Sequence, residues 1–297
     1  VTDALLATAW TLEEPEDALA PERVPSRPRA SVIIPAHDEA AVILRTLAPL
    51  AAAARAGALE VIVVCNGCSD HTARVAATVP GIRVIDTEIA SKSHALNLGD
   101  RLATAWPRVY LDADITASSA ALDAVAALLA SDGALAARPA ARYDTRAATW
   151  GVRAYYRARS RVPSLHRAMW GAGCYALSRA GHARLGAFPD AIGDDLWVDR
   201  LFEASEKAVV AVEPVVVRTP RTLPALLAVT RRAARGSAEA APGGVDGSTV
   251  RTTLDELARS VRGPRTALDA CVYLAVAALA RFGRARPGGW ERDDTSR

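Results

Sequence analysis

Two aspartates one residue apart, Asp112 and Asp114, close the apolar run Val109-Tyr110-Leu111. If that run is a strand, its side chains alternate between faces, so carboxylates at i and i+2 leave its C-terminal end on one side. Convergent carboxylates suit a hard divalent cation, which prefers oxygen ligands and keeps positions open for phosphate. The same pair would serve as a solvated strand end, or as a cap for the next helix, a task Ser118 or Ser119 could equally perform. A second acidic pair, Asp194-Asp195, follows Gly193 and precedes the apolar positions Leu196, Trp197, Leu201 and Phe202. An aspartate there is well placed to cap a helix. Cys65-Asn66-Gly67-Cys68 is formally a redox or half-zinc spacing. Zinc would need a second pair, and Cys174 and Cys271 stand alone, while His71 and His94 keep no regular ligand spacing. The thiols therefore read as ordinary reduced cysteines of a cytosolic chain.

The elements that must position these groups are legible as alternating apolar runs. Ser31–Ala36 reads as a short buried strand. Ala40–Ala54 reads as a helix with Ile43, Leu47, Leu50 and Ala54 on one stripe. Glu60–Val64, apolar on both faces, suits a central parallel strand. Asn66-Gly67 turns the chain, and Ser69 or Asp70 caps a helix over His71–Thr78. A strand Ile82–Asp86, a helix Lys92–Ala105 and a strand Arg108–Leu111 complete a β-α-β-α-β-α-β half. The rest predicts a helix Ser119–Ser131, a strand Ala134–Arg142 and a helix Thr149–Arg161. A glycine-punctuated loop from Trp170 then runs into a strand at Leu177. A helix Leu196–Ala204, a strand Val209–Val217 and a helix Leu223–Arg235 follow. Residues 236–248, with Pro242 and four glycines, predict a flexible break. No G-x-G-x-x-G follows the first strand, which disfavours a dinucleotide fold.

Composition sets the outer limits. At 297 residues and 51% hydrophobic content the chain can bury a real core. A net charge of +3 is too weak to argue for a nucleic-acid partner. Lysine occurs only at Lys92 and Lys207, and the arginine and alanine content reads as a high-GC genome. The opening residues 1–29 carry Pro15, Pro21, Pro25 and Pro28 and lack the basic-then-apolar order of a targeting segment. Near the other end, Ala270–Ala280 is apolar but far shorter than the ~20 residues a bilayer needs. It reads as a core helix, or as an interfacial one with Arg281, Arg284 and Arg286 at the headgroups. The location implied is the cytoplasm, either free or at the inner face of the membrane.

Six stretches, in order, resemble glycosyltransferase family 2, bacterial enzymes of the GT-A fold. Ser31-Val-Ile-Ile-Pro-Ala-His-Asp-Glu39 is similar to the family's opening strand and P-x-(Y/H)-N-E turn, with Asp38 where Asn is usual. Val61–Asp70 is similar to the second strand and its D-D-G-S-x-D turn, with Cys65 and Asn66 replacing two aspartates. Ser91–Gly99 resembles G-K-s-x-A-L-N-x-G without its first glycine, and Asp112-Ala113-Asp114 the D-x-D motif. Gly193-Asp194-Asp195-Leu196 resembles the E-D motif, and Val229–Gly236 a Q-x-x-R-W-x-x-G segment that lacks Gln and Trp. The resemblance covers roughly residues 30–236.

The resemblance implies an α/β protein with a Rossmann-like, mixed but mainly parallel sheet flanked by helices, and a C-terminal helical extension. It divides the chain into a loosely packed segment 1–29, a nucleotide-binding half 30–116, an acceptor half 117–235, a linker 236–253 and a helical segment with a polar tail 254–297. The implied activity is metal-dependent, inverting and non-processive transfer of a hexosyl or N-acetylhexosaminyl group from a nucleotide diphosphate to an acceptor hydroxyl or amine. Asp114 would be the direct ligand of Mn²⁺ or Mg²⁺, with Asp112 on ribose or a metal-bound water. Asp195 would be the base, with Asp194 beside it. Pro35, Ala36, Glu39, Asn66, Lys92 and Ala113 would line the donor site. UDP comes first among donors, with GDP and dTDP open because Asn66 stands where a carboxylate usually faces uracil. Arg232 and Arg235 would touch diphosphate or acceptor, and Trp170, Gly171 and Gly173 would line the acceptor site. The alternative reading is a catalytically silent domain of the same fold acting as a scaffold.

Overall fold

The computed structural model describes residues 27–131, 133–190, 193–239 and 247–282. β1 (Ser31–Ala36) leads through α1 (Ile43–Leu47), a 3₁₀ turn at Ala48–Leu50 and α2 (Ala51–Arg55) to β2 (Glu60–Asn66). Then come α3 (Thr72–Ala76), β3 (Ile82–Thr87), α4 (Lys92–Leu102), β4 (Arg108–Leu111) and α5 (Ser119–Ala130). The second half runs through β5 (Ala136–Asp144), α6 (Trp150–Arg159), α7 (Pro163–Arg167), β6 (Cys174–Leu177), α8 (Arg179–Leu185), α9 (Asp194–Leu201) and β7 (Lys207–Arg218). Three helices follow: α10 (Leu223–Glu239), α11 (Gly247–Arg259) and α12 (Pro264–Phe282).

The strands form one seven-stranded sheet in the order β3-β2-β1-β4-β6-β5-β7. β1 pairs in parallel with β2 and β4, and β2 with β3, as two-sided apolar runs should. β6 is antiparallel to both β4 and β5, which makes the sheet mixed. Alternation along each strand feeds a core on either face: Val32, Ile34, Val109 and Leu111 on one side, Ile33, Ile62, Tyr110 and Tyr175 on the other. Because β1 and β4 are neighbours, their C-terminal ends open side by side. That edge is where α/β folds place ligands.

Several boundaries differ from expectation. The helix over Ala40–Ala54 is broken into α1, a 3₁₀ turn and α2 around Pro49, which lacks the N–H an unbroken helix needs there. Its apolar stripe nonetheless holds, since Ile43, Leu47, Leu50 and Ala54 are all buried. Asp70, not Ser69, serves the start of α3: its Oδ1 accepts from the Thr72 amide at 2.9 Å. Both ends of the break drawn at 236–248 are helical. α10 continues through Gly236 to Glu239 and α11 starts at Gly247, so most of the linker 236–253 is helical. One glycine costs a helix only about 1 kcal/mol, too little to end it. The segment 1–26, residues 240–246 and the polar tail lie outside the described residues.

α12 packs on the core along one face, as a core helix should, and leaves its other face exposed. Ala270, Val276 and Ala280 are buried against α6 and α10, while Leu268, Leu274 and Leu279 are exposed. Its buried Asp269 anchors it, accepting from Arg157 at 2.6 Å and Arg161 at 3.1 Å on or next to α6.

Candidate active site

β4 delivers Asp112 one residue past its last strand position, in a turn closed by the Ile115 amide on the Asp112 carbonyl at 3.1 Å. Lys92, the first residue of α4, reaches into the same space. Its Nζ lies 2.7 Å from Asp112 Oδ1 and 2.7 Å from Asp194 Oδ1. Burial works against the ammonium, but the two carboxylates outweigh it and hold its pKa above the ordinary lysine value. Asp194 is fixed from its other oxygen by the Tyr175 hydroxyl, which donates to Oδ2 at 2.8 Å. Tyr175 faces Tyr110 across the antiparallel β4–β6 ladder, so the register of that pair places the phenol.

Asp195 opens α9 beside Asp194. Its Oδ2 accepts from the Gly171 amide at 2.7 Å and its Oδ1 from the Leu196 amide at 2.8 Å. Burial, with the negative charge of Asp194 next, pushes its pKa up to about 6, against the opposing pull of Lys92 and the Gly171 N–H. A carboxylate tuned upward in this way is suited to receiving a proton near neutrality.

The loop Trp170–Gly173 spans from one acidic group to the other. Gly171 (φ +79°) holds Asp195, while Gly173 (φ +61°) accepts from the Asp112 amide at 2.8 Å. A Cβ at Gly173 would stand 3.0 Å from Asp112 Oδ2 and 2.5 Å from Ile115 Cγ1. Only glycine leaves that space open beside the carboxylate. The loop before Asp194 is pinned from α4, where Asn97 exchanges two hydrogen bonds with Phe188 at 2.9 and 2.8 Å and Ser93 donates to Asp190 at 3.0 Å. The K-S-H-A-L-N stretch thus carries Lys92 and steadies the segment leading to the acidic pair.

The other expected donor residues sit on the same edge. Pro35 and Ala36 end β1, and the Asn66 Nδ2 donates to the Ala36 carbonyl at 2.9 Å, tying β2 to β1. Glu39 donates its amide to Thr72 Oγ1 at 2.7 Å. Asp114 lies beside Arg45, whose Nη2 donates to the Asp114 carbonyl at 3.3 Å. Ala113 is buried, with its carbonyl accepting from Thr46 Oγ1 at 2.7 Å. Arg232 and Arg235 ride on α10, which packs against α6 and α12. Trp170 lies under the Arg159 guanidinium, 4.9 Å from ring centroid to Cζ.

Asp38, Cys68 and Asp70 bring three potential ligand atoms within 4.8 Å of one another. Their hydrogen bonds identify them as a turn. Asp38, at positive φ (+50°), accepts from the Ser69 and Asp70 amides at 2.6 and 3.2 Å. Asn and Asp tolerate that conformation, which is why Asp replaces Asn here. Asp70 is engaged by the Thr72 and Ala40 amides. Burial pushes the Cys65 thiol up to about 12 and raises Cys68 as well, so neither is a ready thiolate.

The family model described as glycosyl transferase family 2 matches residues 31–183. The chain belongs to glycosyl transferase family 2. The match takes in the strands β1–β6 and the Asp112-Ala113-Asp114 motif, and stops short of the acidic pair. Among solved structures, a mannosyltransferase from Pyrobaculum calidifontis, in complex with GDP-Man and Mn²⁺, is 24% identical with a TM-score of 0.57. That likeness covers 88% of this chain and 78% of the other. Glucosyl-3-phosphoglycerate synthase from Mycobacterium tuberculosis, in complex with Mn²⁺, UDP and phosphoglyceric acid, is 20% identical with a TM-score of 0.53, covering 75% of this chain and 81% of the other. Likeness at these identities shows the shared GT-A fold. No curated protein sequence matches the chain.

Proposed function

We propose that this family 2 chain transfers a sugar, hexosyl or N-acetylhexosaminyl, from a nucleotide diphosphate to an acceptor hydroxyl or amine. The reading includes inversion at the anomeric carbon and one addition per encounter. The observation that carries it is the continuous contact from Asp112 through Lys92 to Asp194, with Asp195 alongside on Gly171. It joins the strand end suited to a diphosphate to a carboxylate suited to act as base.

The donor lies along the C-terminal edge of β1, β2 and β4, with Pro35, Ala36, Glu39 and Asn66 toward the nucleoside and Asp112, Ala113 and Asp114 toward the diphosphate. The residues fit a divalent cation, Mn²⁺ or Mg²⁺. Asp112 and Asp114 offer only oxygen, a lysine ammonium already stands between Asp112 and Asp194, and Gly173 leaves room beside Asp112. When bound, the ion supplies positive charge against the departing diphosphate. On the acceptor side, Asp195 takes the hydroxyl proton as the oxygen bonds to the anomeric carbon, and the electrons of the glycosidic bond leave with the nucleotide diphosphate. At pH 7 a base with a pKa of about 6 is mostly ionised and ready.

We also assign α12 a peripheral contact with anionic membrane. At 3.6 residues per turn, its exposed Leu268, Cys271, Leu274, Ala275, Ala278 and Leu279 share one arc, opposite the buried Val276 and Ala280. Exposed Arg265 and Arg281 flank that arc on its two borders, the charge pattern of an in-plane helix on acidic headgroups. Among the described residues no helix is long and apolar enough to cross a membrane.

The test is calorimetric titration with UDP, GDP and dTDP, each with and without Mn²⁺, on wild type and Asp114→Ala. Metal-dependent binding of one nucleotide, lost in the variant, is the expected result. Failure of all three to bind would overturn the donor site and favour the silent scaffold.

A further inference from the structure

Behind the loop that holds Asp195 lies a partly open cavity of about 100 Å³, lined by Arg138, Tyr143, Arg159 and His166 among others. Liquid water occupies about 30 Å³ per molecule, so the space suits one small polar group. Its walls are unusual in charge. Arg138 and Arg159 are only 3% and 8% exposed, and among the described residues neither has a carboxylate at ion-pair distance.

Buried guanidinium groups normally meet a carboxylate, because an uncompensated buried charge is costly. Arg138 is offset by carbonyls alone, donating to Ala168 at 2.7 Å, Pro139 at 2.9 Å and His166 at 2.7 Å. Arg159 has less: one bond from Nη2 to the Tyr143 hydroxyl at 3.1 Å, and the ring faces of Tyr143 and Trp170. The acidic residue nearest in influence to Arg138 is Asp199, which is already paired with Lys207 at 3.0 Å. Among the described residues, two buried cations therefore face one cavity without an anion, and a planar guanidinium is the group that grips an oxyanion in two-point fashion.

Two of the cavity's lining residues, Tyr143 and Arg159, approach Gly171, the residue that holds Asp195. The Tyr143 hydroxyl donates to the Gly171 carbonyl at 2.8 Å, and Arg159 Nη2 lies 2.9 Å from where a Gly171 Cβ would stand. The amide of that same glycine holds Asp195. A molecule whose anionic group sat against Arg159 would thus have its neighbouring atoms directed along one residue toward the carboxylate that takes a proton.

We infer that this cavity is an oxyanion subsite for the acceptor, and that the acceptor is a hydroxyl compound carrying a phosphate or carboxylate close to the reacting hydroxyl. This deepens the transferase reading and rests on Asp195 as base. The anion neutralises the Arg159 charge, and the second buried guanidinium at Arg138 raises the potential that draws it in. Arg159 binds and positions here, and Asp195 alone takes the proton.

The experiment titrates glycerol phosphate and glycerol, a pair differing only in the anionic group, into protein saturated with the nucleotide and Mn²⁺ that it binds, or into free protein if none binds. Wild type, Arg159→Lys and Arg159→Gln are compared, and the thermal unfolding midpoint of each variant reports whether it is folded. The expected result is glycerol phosphate binding without glycerol binding, weakened about tenfold or more in Arg159→Gln and less in Arg159→Lys. A membrane-borne phosphate is distinguished from a soluble one by repeating the competition with vesicles containing phosphatidic acid: displacement of glycerol phosphate by the vesicles assigns the subsite to a lipid phosphate, and its absence to a soluble acceptor. Glycerol phosphate binding that survives Arg159→Gln unchanged, or that is missing from wild type, overturns the subsite. Loss of nucleotide binding in wild type overturns the donor reading and leaves this result to stand by itself.

Discussion

Lys92 on α4 holds its ammonium 2.7 Å from Asp194 Oδ1 on α9, so the helix after β3 is tied by charge to the helix that opens with Asp194 and Asp195. The same nitrogen reaches Asp112 at the end of β4. One lysine therefore bridges the end of β4 and the start of α9. Removing it takes away a positive charge that lowers the Asp195 pKa against the neighbouring negative charge of Asp194.

The first prediction concerns the base itself. Burial and Asp194 raise the Asp195 pKa to about 6. A general base works in its ionised form, so kcat/KM should be flat above that pH and fall toward tenfold per unit below it. Asp195→Asn should lower kcat by ~10²–10⁴-fold and erase the acid limb, while nucleotide affinity stays within about twofold. A pH profile of initial rates checks both. An acid limb that persists in the variant would assign it to another group.

Lys92 should then move that limb. Its charge is one of the influences lowering the Asp195 pKa. In Lys92→Met the limb must shift to higher pH, so the variant loses proportionally more activity at pH 6 than at pH 8. A uniform loss at every pH would mean that Lys92 acts on the donor alone.

The third prediction separates backbone strain from contact at Gly173. Alanine there must adopt φ +61° and bring a Cβ within 2.5 Å of Ile115 Cγ1. The conformational cost is about 1–2 kcal/mol, and overpacking adds roughly 1–3. Gly57 supplies the control, with φ +67° and nothing within 4 Å of the added Cβ. Thermal unfolding should therefore show Gly173→Ala less stable than Gly57→Ala. Metal-dependent nucleotide binding should weaken only in the former, because only that Cβ crowds Asp112.

The parts of this site that could be read in sequence are those fixed by local periodicity. The two-faced run into Asp112 points to a strand end, and the glycines before Cys174 to a close approach; β4 ends at Leu111, and Gly173 lies against Asp112. What could not be read depends on register between distant segments. Tyr175 reaches Asp194 because β6 runs antiparallel to β4, a pairing that no spacing within either strand announces. Arg159 is one of several arginines in the stretch read as a helix over Thr149–Arg161, and nothing in that stretch marks it as the one that Tyr143 and Trp170 enclose. The pattern shows which face of a helix is apolar, and tertiary packing decides which of its charged residues are enclosed.

The last prediction follows from α12. Its inward face is secured by Asp269 between Arg157 and Arg161 and by Val276 among Val152, Tyr155 and Leu226. Its outward face exposes Leu268 and Leu279 at 50% and 57%. Because those two side chains contribute little to the core, Leu268→Asp with Leu279→Asp should leave the unfolding midpoint nearly unchanged. Each aspartate would still face acidic headgroups and remove apolar area from the contact. Co-sedimentation with vesicles rich in phosphatidylserine should show wild type in the pellet and the double variant in the supernatant, with binding reduced by high salt as Arg265 and Arg281 are screened. Neutral vesicles should retain neither protein. Equal pelleting of wild type and variant would remove α12 from the contact and leave its leucines as ordinary surface residues.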